Sequence, residues 1–234
     1  MTDAPTSWQD ATVTEIRAET ERAKTFRLRL QRPERHVAGQ HYIIRLTAPD
    51  GYRAQRSYSV ASPPDDSGEI ELTVERLEDG EVSTFLHDVV EVGDELEVRG
   101  PIGGWFVWDG TTPAVLLGGG SGVVPLMAML RQARRTEAEH LLQLVVSVRR
   151  PDDLLYRDEI SGPATTVIYT REAPAGVTRQ AGRLAAADLA GRVPTDATCY
   201  ICGSAGFADA ASVLLLELGV DAARIRVERF GPTG

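Results

Sequence analysis

The passage from residue 114 to residue 130 constrains this chain more than any other. Four apolar residues, Ala114-Val115-Leu116-Leu117, run without a polar break, as a strand buried on both faces of a sheet does. They lead straight into Gly118-Gly119-Gly120-Ser121-Gly122, and residues 123–130 then take up helical spacing. More apolar strand-like runs follow at 141–148, 166–169, 198–201 and 224–227, with helical patterning near 184–189 and 207–218. Strand alternating with helix predicts an open α/β domain on a parallel sheet, covering residues 111–234.

Residues 1–110 read differently. Segments 11–16, 24–30, 42–46, 70–75 and 95–98 mix β-branched or aromatic residues with polar ones, several at period two, and 56–62 reads as another strand. Turn signals separate them: Pro33, Gly39, Pro49-Asp50-Gly51, Pro63-Pro64-Asp65-Asp66 and Asp79-Gly80. One short helix is expected at 82–88. Short strands at this spacing predict a small antiparallel barrel or sandwich. The turn composition of Asp109-Gly110-Thr111-Thr112 sets the domain boundary.

Two stretches carry chemistry. Glycines between a strand and a helix leave backbone N–H groups facing the strand's carboxyl end, where a dinucleotide pyrophosphate binds in open α/β sheets. No Gly-Lys-Ser/Thr ending follows, so a phosphate-transfer loop is disfavoured. The second stretch is Arg56-Ser57-Tyr58-Ser59-Val60, where Arg56, Tyr58 and Val60 share one strand face and Ser57 and Ser59 the other. An arginine for phosphate, a ring for stacking and a hydroxyl donor suit a flavin nucleotide. An ordinary half-buried strand accounts for the same residues.

Taken in order along the chain, these motifs resemble the ferredoxin–NADP reductase superfamily over essentially its whole length. The family's Arg-x-Tyr-Ser flavin motif is matched by Arg56, Tyr58 and Ser59, and its Gly-x-x-Ser element by Gly80-Glu81-Val82-Ser83. Gly100-Pro101-Ile102-Gly103 looks like the turn closing the barrel. The run Gly-Gly-Gly-x-Gly-x-x-Pro is matched from Gly118 through Gly119, Gly120, Ser121 and Gly122 to Pro125. Cys202-Gly203-Ser204 resembles the family's Cys-Gly-Pro, with Ser204 in place of the proline.

The resemblance implies an antiparallel Greek-key β-barrel FAD domain (1–110) followed by an α/β parallel-sheet NAD(P)-binding domain (111–234). It implies that Arg56 pairs with the flavin pyrophosphate, Tyr58 stacks on the isoalloxazine and Ser59 sits near N5. Backbone amides at Val82 and Ser83 would hold phosphates, and Cys202 would orient the nicotinamide. Glu228 and Phe230 occupy positions like those of residues that family members bring to the flavin, although the chain continues through Gly231-Pro232-Thr233-Gly234. Ser147, Arg149, Arg150 and Arg171 end the second and third strands of the α/β domain, where a ribose 2′-phosphate is read, and they favour NADP(H) over NAD(H). Asp152 and Asp153 lie farther along in a loop.

The implied activity is electron transfer from NAD(P)H through FAD to a separate carrier, such as a ferredoxin or a haem or molybdenum protein. Direct reduction of free flavin, a quinone or a ferric chelate is the alternative, and a non-catalytic redox-sensing subunit is another. Cys199 and Cys202 are the two cysteines, too few for a four-cysteine cluster, and read as strand residues. His36, His41, His87 and His140 have no metal-ligand spacing. A net charge of -9 argues against nucleic acid. No apolar run reaches the ~20 residues of a membrane span, and Met1-Thr2-Asp3-Ala4-Pro5 lacks signal-peptide order, so a cytoplasmic protein is expected. Trp8, Trp105 and Trp108 are expected to close the barrel. Arg131, Arg134 and Arg135 are expected to be exposed helix cations rather than a docking patch.

Overall fold

A computed structural model describes residues 7–194 and 196–230; the N-terminal Met1–Pro5 and the C-terminal Gly231–Gly234 lie outside the described residues. The chain divides into two compact units, the first ending at Val107 and the second beginning at Trp108. The Asp109–Thr112 turn therefore belongs to the second unit, where the Trp108 indole N–H donates to the Thr112 carbonyl at 2.9 Å.

The first unit holds six antiparallel strands, β1 (Gln9–Thr20), β2 (Ala23–Leu30), β3 (His41–Thr47), β4 (Arg53–Ser59), β5 (Glu69–Glu75) and β6 (Glu95–Ile102). Their order is β4-β3-β6-β1-β2-β5. The two outer strands are brought together where Val60, just past β4, bridges Leu72 on β5, and Ala61 N–H donates to the Glu71 carbonyl at 2.8 Å. That closes the sheet into a barrel and removes its open edges. Period-two alternation fills the interior with Val13, Phe26, Leu28, Tyr42, Ile44 and Leu72, all buried. A helix, α1 (Glu81–Asp88), packs Val82 and Leu86 into this core.

Two expectations change. Gly100, Pro101 and Ile102 are not a turn but the end of β6, with Ile102 paired to His41. Gly100 lies flat on the Tyr42 ring, which an added Cβ would approach to 2.5 Å, so the strand can continue there only with glycine. The tryptophans do not close the barrel. Trp105 is 62% exposed, and Trp108 is buried in the second unit. Trp8 carries Arg45 and Arg99 against its ring, with guanidinium carbons 3.9 and 5.0 Å from the centroid.

The second unit has five parallel strands: β7 (Ala114–Gly119), β8 (Leu142–Val148), β9 (Thr165–Tyr169), β10 (Thr198–Ser204) and β11 (Ile225–Phe230). They are ordered β11-β10-β7-β8-β9. From β7 the chain winds outward through β8 and β9, then returns to the other side for β10 and β11, so the switch point lies between β7 and β10. The helices are α2 (Val124–Arg135), α3 (Ala186–Leu189) and α4 (Ala205–Glu217). A 3-10 turn, Gly120–Val123, contains the last two glycines of the run and leads into α2. Arg131 is turned onto Glu159, its Nε at 2.8 Å, and Arg134 onto Glu139 at 3.0 Å, which gives both arginines structural partners.

Leu72 sits fully buried at the barrel's closing bridge. Leu72→Ala is expected to cost about 2–5 kcal/mol, read as a lower urea midpoint for the first unit.

Candidate functional site

The switch point is built from glycines that serve two different ends. Gly122 rests on the end of β10: an added Cβ would lie 2.1 Å from the Cys202 carbonyl oxygen and 2.6 Å from Gly203 N. At Gly119 a Cβ would come within 2.6 Å of the Phe207 ring, and at Gly203 within 2.8 Å of the same ring. These three are packing glycines. Gly120 is different, for it has φ +56 and nothing within 4 Å of an added Cβ. It needs glycine for its left-handed backbone and leaves open space above the turn. Ser121 lies half-buried beside it, and Pro125 falls in the first turn of α2, whose start has no side-chain cap. Val124 N–H is taken by the Ser121 carbonyl and Pro125 has none, so the donors lie one turn earlier, where the 3-10 turn opens at Gly120 without a side-chain cap. Amides at such a start beside an open glycine are the kind of donor set a pyrophosphate requires. Ser204, in the place of the family's proline, caps α4 by accepting from Phe207 N–H at 3.4 Å.

Beyond the ends of β8 and β9 the chain gathers cations. Arg171 N–H and Glu172 N–H both donate to the Arg149 carbonyl, at 3.0 and 3.2 Å, which sets Arg149 and Arg171 side by side. Both side chains are exposed, and Ser147 is buried at the end of β8. Arg150 faces Glu172, its Nε 3.8 Å from the carboxylate. Glu172 follows Arg171 directly, but no sequence motif marks it as a partner of Arg150; the loop residue Asp153 accepts from the Arg150 N–H instead.

Cys202 and Glu228 are register neighbours on β10 and β11. Both cysteines are free and buried. Burial holds the Cys199 thiol up at about 11, and burial together with the Glu228 charge keeps Cys202 well above its ordinary value. Neither is a thiolate at neutral pH, so neither is poised as a nucleophile. Burial lifts the Glu228 carboxyl to about 7. Phe230 is half-buried at the end of β11, paired with Ser204.

The flavin-motif residues assemble at one end of the barrel. Along β4 burial rises from exposed Arg56 and Ser57 through half-buried Tyr58 to Ser59, 4% exposed. The two faces expected from strand alternation are thus overridden by the strand's passage into the barrel end. Burial raises the Tyr58 phenol above its ordinary value. The Arg56 guanidinium donates to its neighbour's carbonyl, Gln55 O, at 2.7 Å. Gly80 precedes α1 without a side-chain cap. An added Cβ there would stand 2.3 Å from the Ser83 Oγ, which itself accepts from Leu77 N–H at 3.2 Å and donates to the Gly80 carbonyl at 3.1 Å. The Ser83 hydroxyl therefore pins the turn, leaving the first-turn amides of Val82 and Ser83 at the helix's positive end for an anion. An exposed arginine, a half-buried ring, a buried hydroxyl and an uncapped helix start fit FAD.

Known proteins carry the same two parts. Residues 10–107 match the oxidoreductase FAD-binding domain, and residues 116–212 the oxidoreductase NAD-binding domain. The FAD/NAD-binding domain of a nitric oxide dioxygenase from Vibrio cholerae superposes with a TM-score of 0.85 at 27% identity, covering 96% of this chain and 99% of that one. The glycine betaine monooxygenase reductase subunit of Chromohalobacter salexigens is 35% identical over 83% of this chain and 56% of its own length. A Ralstonia ferredoxin–NAD(P)+ reductase component of naphthalene 1,2-dioxygenase/salicylate 5-hydroxylase systems is 27% identical over 95% of this chain and 69% of its own. The chain thus spans little more than half of some curated relatives. A flavin-binding barrel followed by a pyridine-nucleotide domain defines a class of two-cofactor oxidoreductases. This chain belongs to the ferredoxin–NADP reductase superfamily.

Two outcomes follow from the switch point. Gly122→Ala is expected to abolish NAD(P)H binding while FAD binding is retained, checked by nucleotide titration of the protein with FAD in excess. Because the folded carboxyl of Glu228 titrates near 7, above its unfolded value, its contribution to stability is greatest below pH ~4.5 and is lost as pH rises to about 7. Glu228→Gln should remove that loss, so the fall in melting temperature between pH 5 and pH 8 is smaller than in the parent, about 1–3 kcal/mol in equivalent stability.

Proposed function

We propose that this chain is an FAD-dependent reductase that takes electrons from NADPH and delivers them to a separate electron-carrier protein. The observation that carries the reading is the open glycine turn at the switch point, with Ser147, Arg149 and Arg171 gathered at the rim of the same sheet. Two arginines that the backbone sets side by side, just past a serine, suit a 2′-phosphate, which NADPH has and NADH lacks. Glu172 occupies Arg150, so Arg149 and Arg171 are assigned the phosphate.

FAD, when bound, supplies an acceptor for hydride and a donor of single electrons. Arg56 and the amides of Val82 and Ser83 would hold its phosphates, and Tyr58 would pack on its ring system. Ser59, Cys202 and Glu228 are proposed as the residues nearest the chemistry. The Ser59 hydroxyl would donate to developing negative charge. Cys202, neutral and fixed by burial, would place the nicotinamide. Glu228, near 7, could hold or release a proton at working pH. Phe230, at the end of β11, is proposed as a further cofactor-binding residue of the second unit. Relatives named as reductase subunits and components of oxygenase systems support a separate acceptor, for which a ferredoxin or a haem or molybdenum protein is suitable. Among the described residues no helix is long and apolar enough to cross a membrane. A cytoplasmic setting goes with the use of NADPH.

Anaerobic mixing with NADPH should bleach the flavin absorbance rapidly, with NADH slower. Bleaching by neither nucleotide removes the proposal. Reoxidation that stays slow until a ferredoxin is added supports a protein acceptor, whereas fast turnover with free flavin or a quinone overturns it. Arg149→Ala and Arg171→Ala should each raise KM for NADPH by about tenfold or more and leave NADH nearly unchanged, since one charge-assisted bond is worth roughly 1.5–3 kcal/mol.

A further inference from the structure

The start of α1 carries a charge of the wrong sign for a diphosphate. Glu81 is its first residue, and the Tyr52 hydroxyl reaches from the β3–β4 hairpin to donate to its carboxylate at 3.1 Å. Tyr52 is 57% exposed, yet the Glu81 carboxylate holds its phenol above the ordinary value, while the nearby Arg56 charge pulls it the other way. Arg56, Tyr52 and Glu81 are thus neighbours at one end of the barrel. Glu78 and Asp79, both exposed, precede the helix and add to the same negative field.

We propose that Glu81, tethered by Tyr52, opposes the FAD pyrophosphate and makes FAD an exchangeable rather than a permanent cofactor. The inference rests on the reading that Arg56 and the α1 amides hold that pyrophosphate. A carboxylate in a helix's first turn satisfies the positive end of the dipole when no ligand is there. An incoming diphosphate needs the same end, and it meets Glu81 within about one helical turn, where like charges repel. Without a tether the side chain could swing into solvent and relieve the repulsion. The Tyr52 bond holds it in place. Ser83 cannot offset this by donating its hydroxyl to phosphate, because that hydroxyl already donates to the Gly80 carbonyl.

Equilibrium dialysis of the full chain against FAD at low salt tests the inference. Glu81→Gln, which keeps the shape and an oxygen acceptor for Tyr52, should tighten FAD about 5- to 10-fold. Tyr52→Phe should tighten it by less, and the double variant by no more than Glu81→Gln alone. The gap between parent and Glu81→Gln should close as salt is raised, through screening of the exposed charges. An unchanged or weaker affinity for Glu81→Gln overturns the proposal. Arg56→Ala separates this failure from that of the underlying reading. If Arg56→Ala loosens FAD about tenfold or more while Glu81→Gln does nothing, only the opposing role of Glu81 is lost. If Arg56→Ala also leaves FAD unchanged, this end of the barrel is not the pyrophosphate site.

Discussion

One backbone-to-backbone contact governs the nucleotide end of the second unit: Gly122 lying on the Cys202–Gly203 peptide. Strands β7 and β10 are hydrogen-bonded neighbours, but their chains leave in opposite directions. A crevice forms at such a point only if the turn leaving one strand folds back over the end of the other without filling the gap between them. A side chain at Gly122 would fill it. The adjacent contacts of Gly119 and Gly203 with the Phe207 ring extend the same constraint to the start of α4. What remains open is the space above Gly120, and the shape of the donor set follows from that.

The barrel places its site by different means. Its closing bridge between Val60 and Leu72 follows immediately after the flavin motif on β4, so Ser59 is buried at the point where the barrel closes. The helix α1 is anchored from beneath by Val82 and Leu86 and from the side by the Ser83 hydroxyl. Its exposed face is then free to carry charge, and it carries an acidic residue at the first position.

Much of this was legible in the residues, for reasons that differ by element. The parallel strands β7, β8 and β10 announce themselves because burial on both faces demands continuous apolar runs. The barrel strands show as alternation, and α1 as a short apolar stripe. Gly100 misled because the resemblance reads residues 100–103 as a turn, whereas here the glycine's lack of a side chain serves the Tyr42 ring within a strand. Trp105 and Trp108 misled because ring size says nothing about which core, or none, receives the ring. The pairing of Tyr52 with Glu81 joins residues 29 apart across a hairpin and a helix start, and no local pattern encodes it. Phe207 shows in the sequence only as the start of a helical stretch, because its role against two glycines depends on three strand and helix ends meeting.

Arg149 and Arg171, proposed above to read the 2′-phosphate, stand just past the ends of β8 and β9, on the far side of β7 from the Gly122 contact. Grip and preference are therefore modular. Substitutions among Arg149, Arg150, Arg171 and Glu172 can drift, or be engineered, without touching the tightly packed glycines that hold the part common to both nucleotides. On that reading a chain built this way can change which reducing pool it draws on in a few surface steps, while the crevice itself stays fixed by the steric limits at Gly119, Gly122 and Gly203.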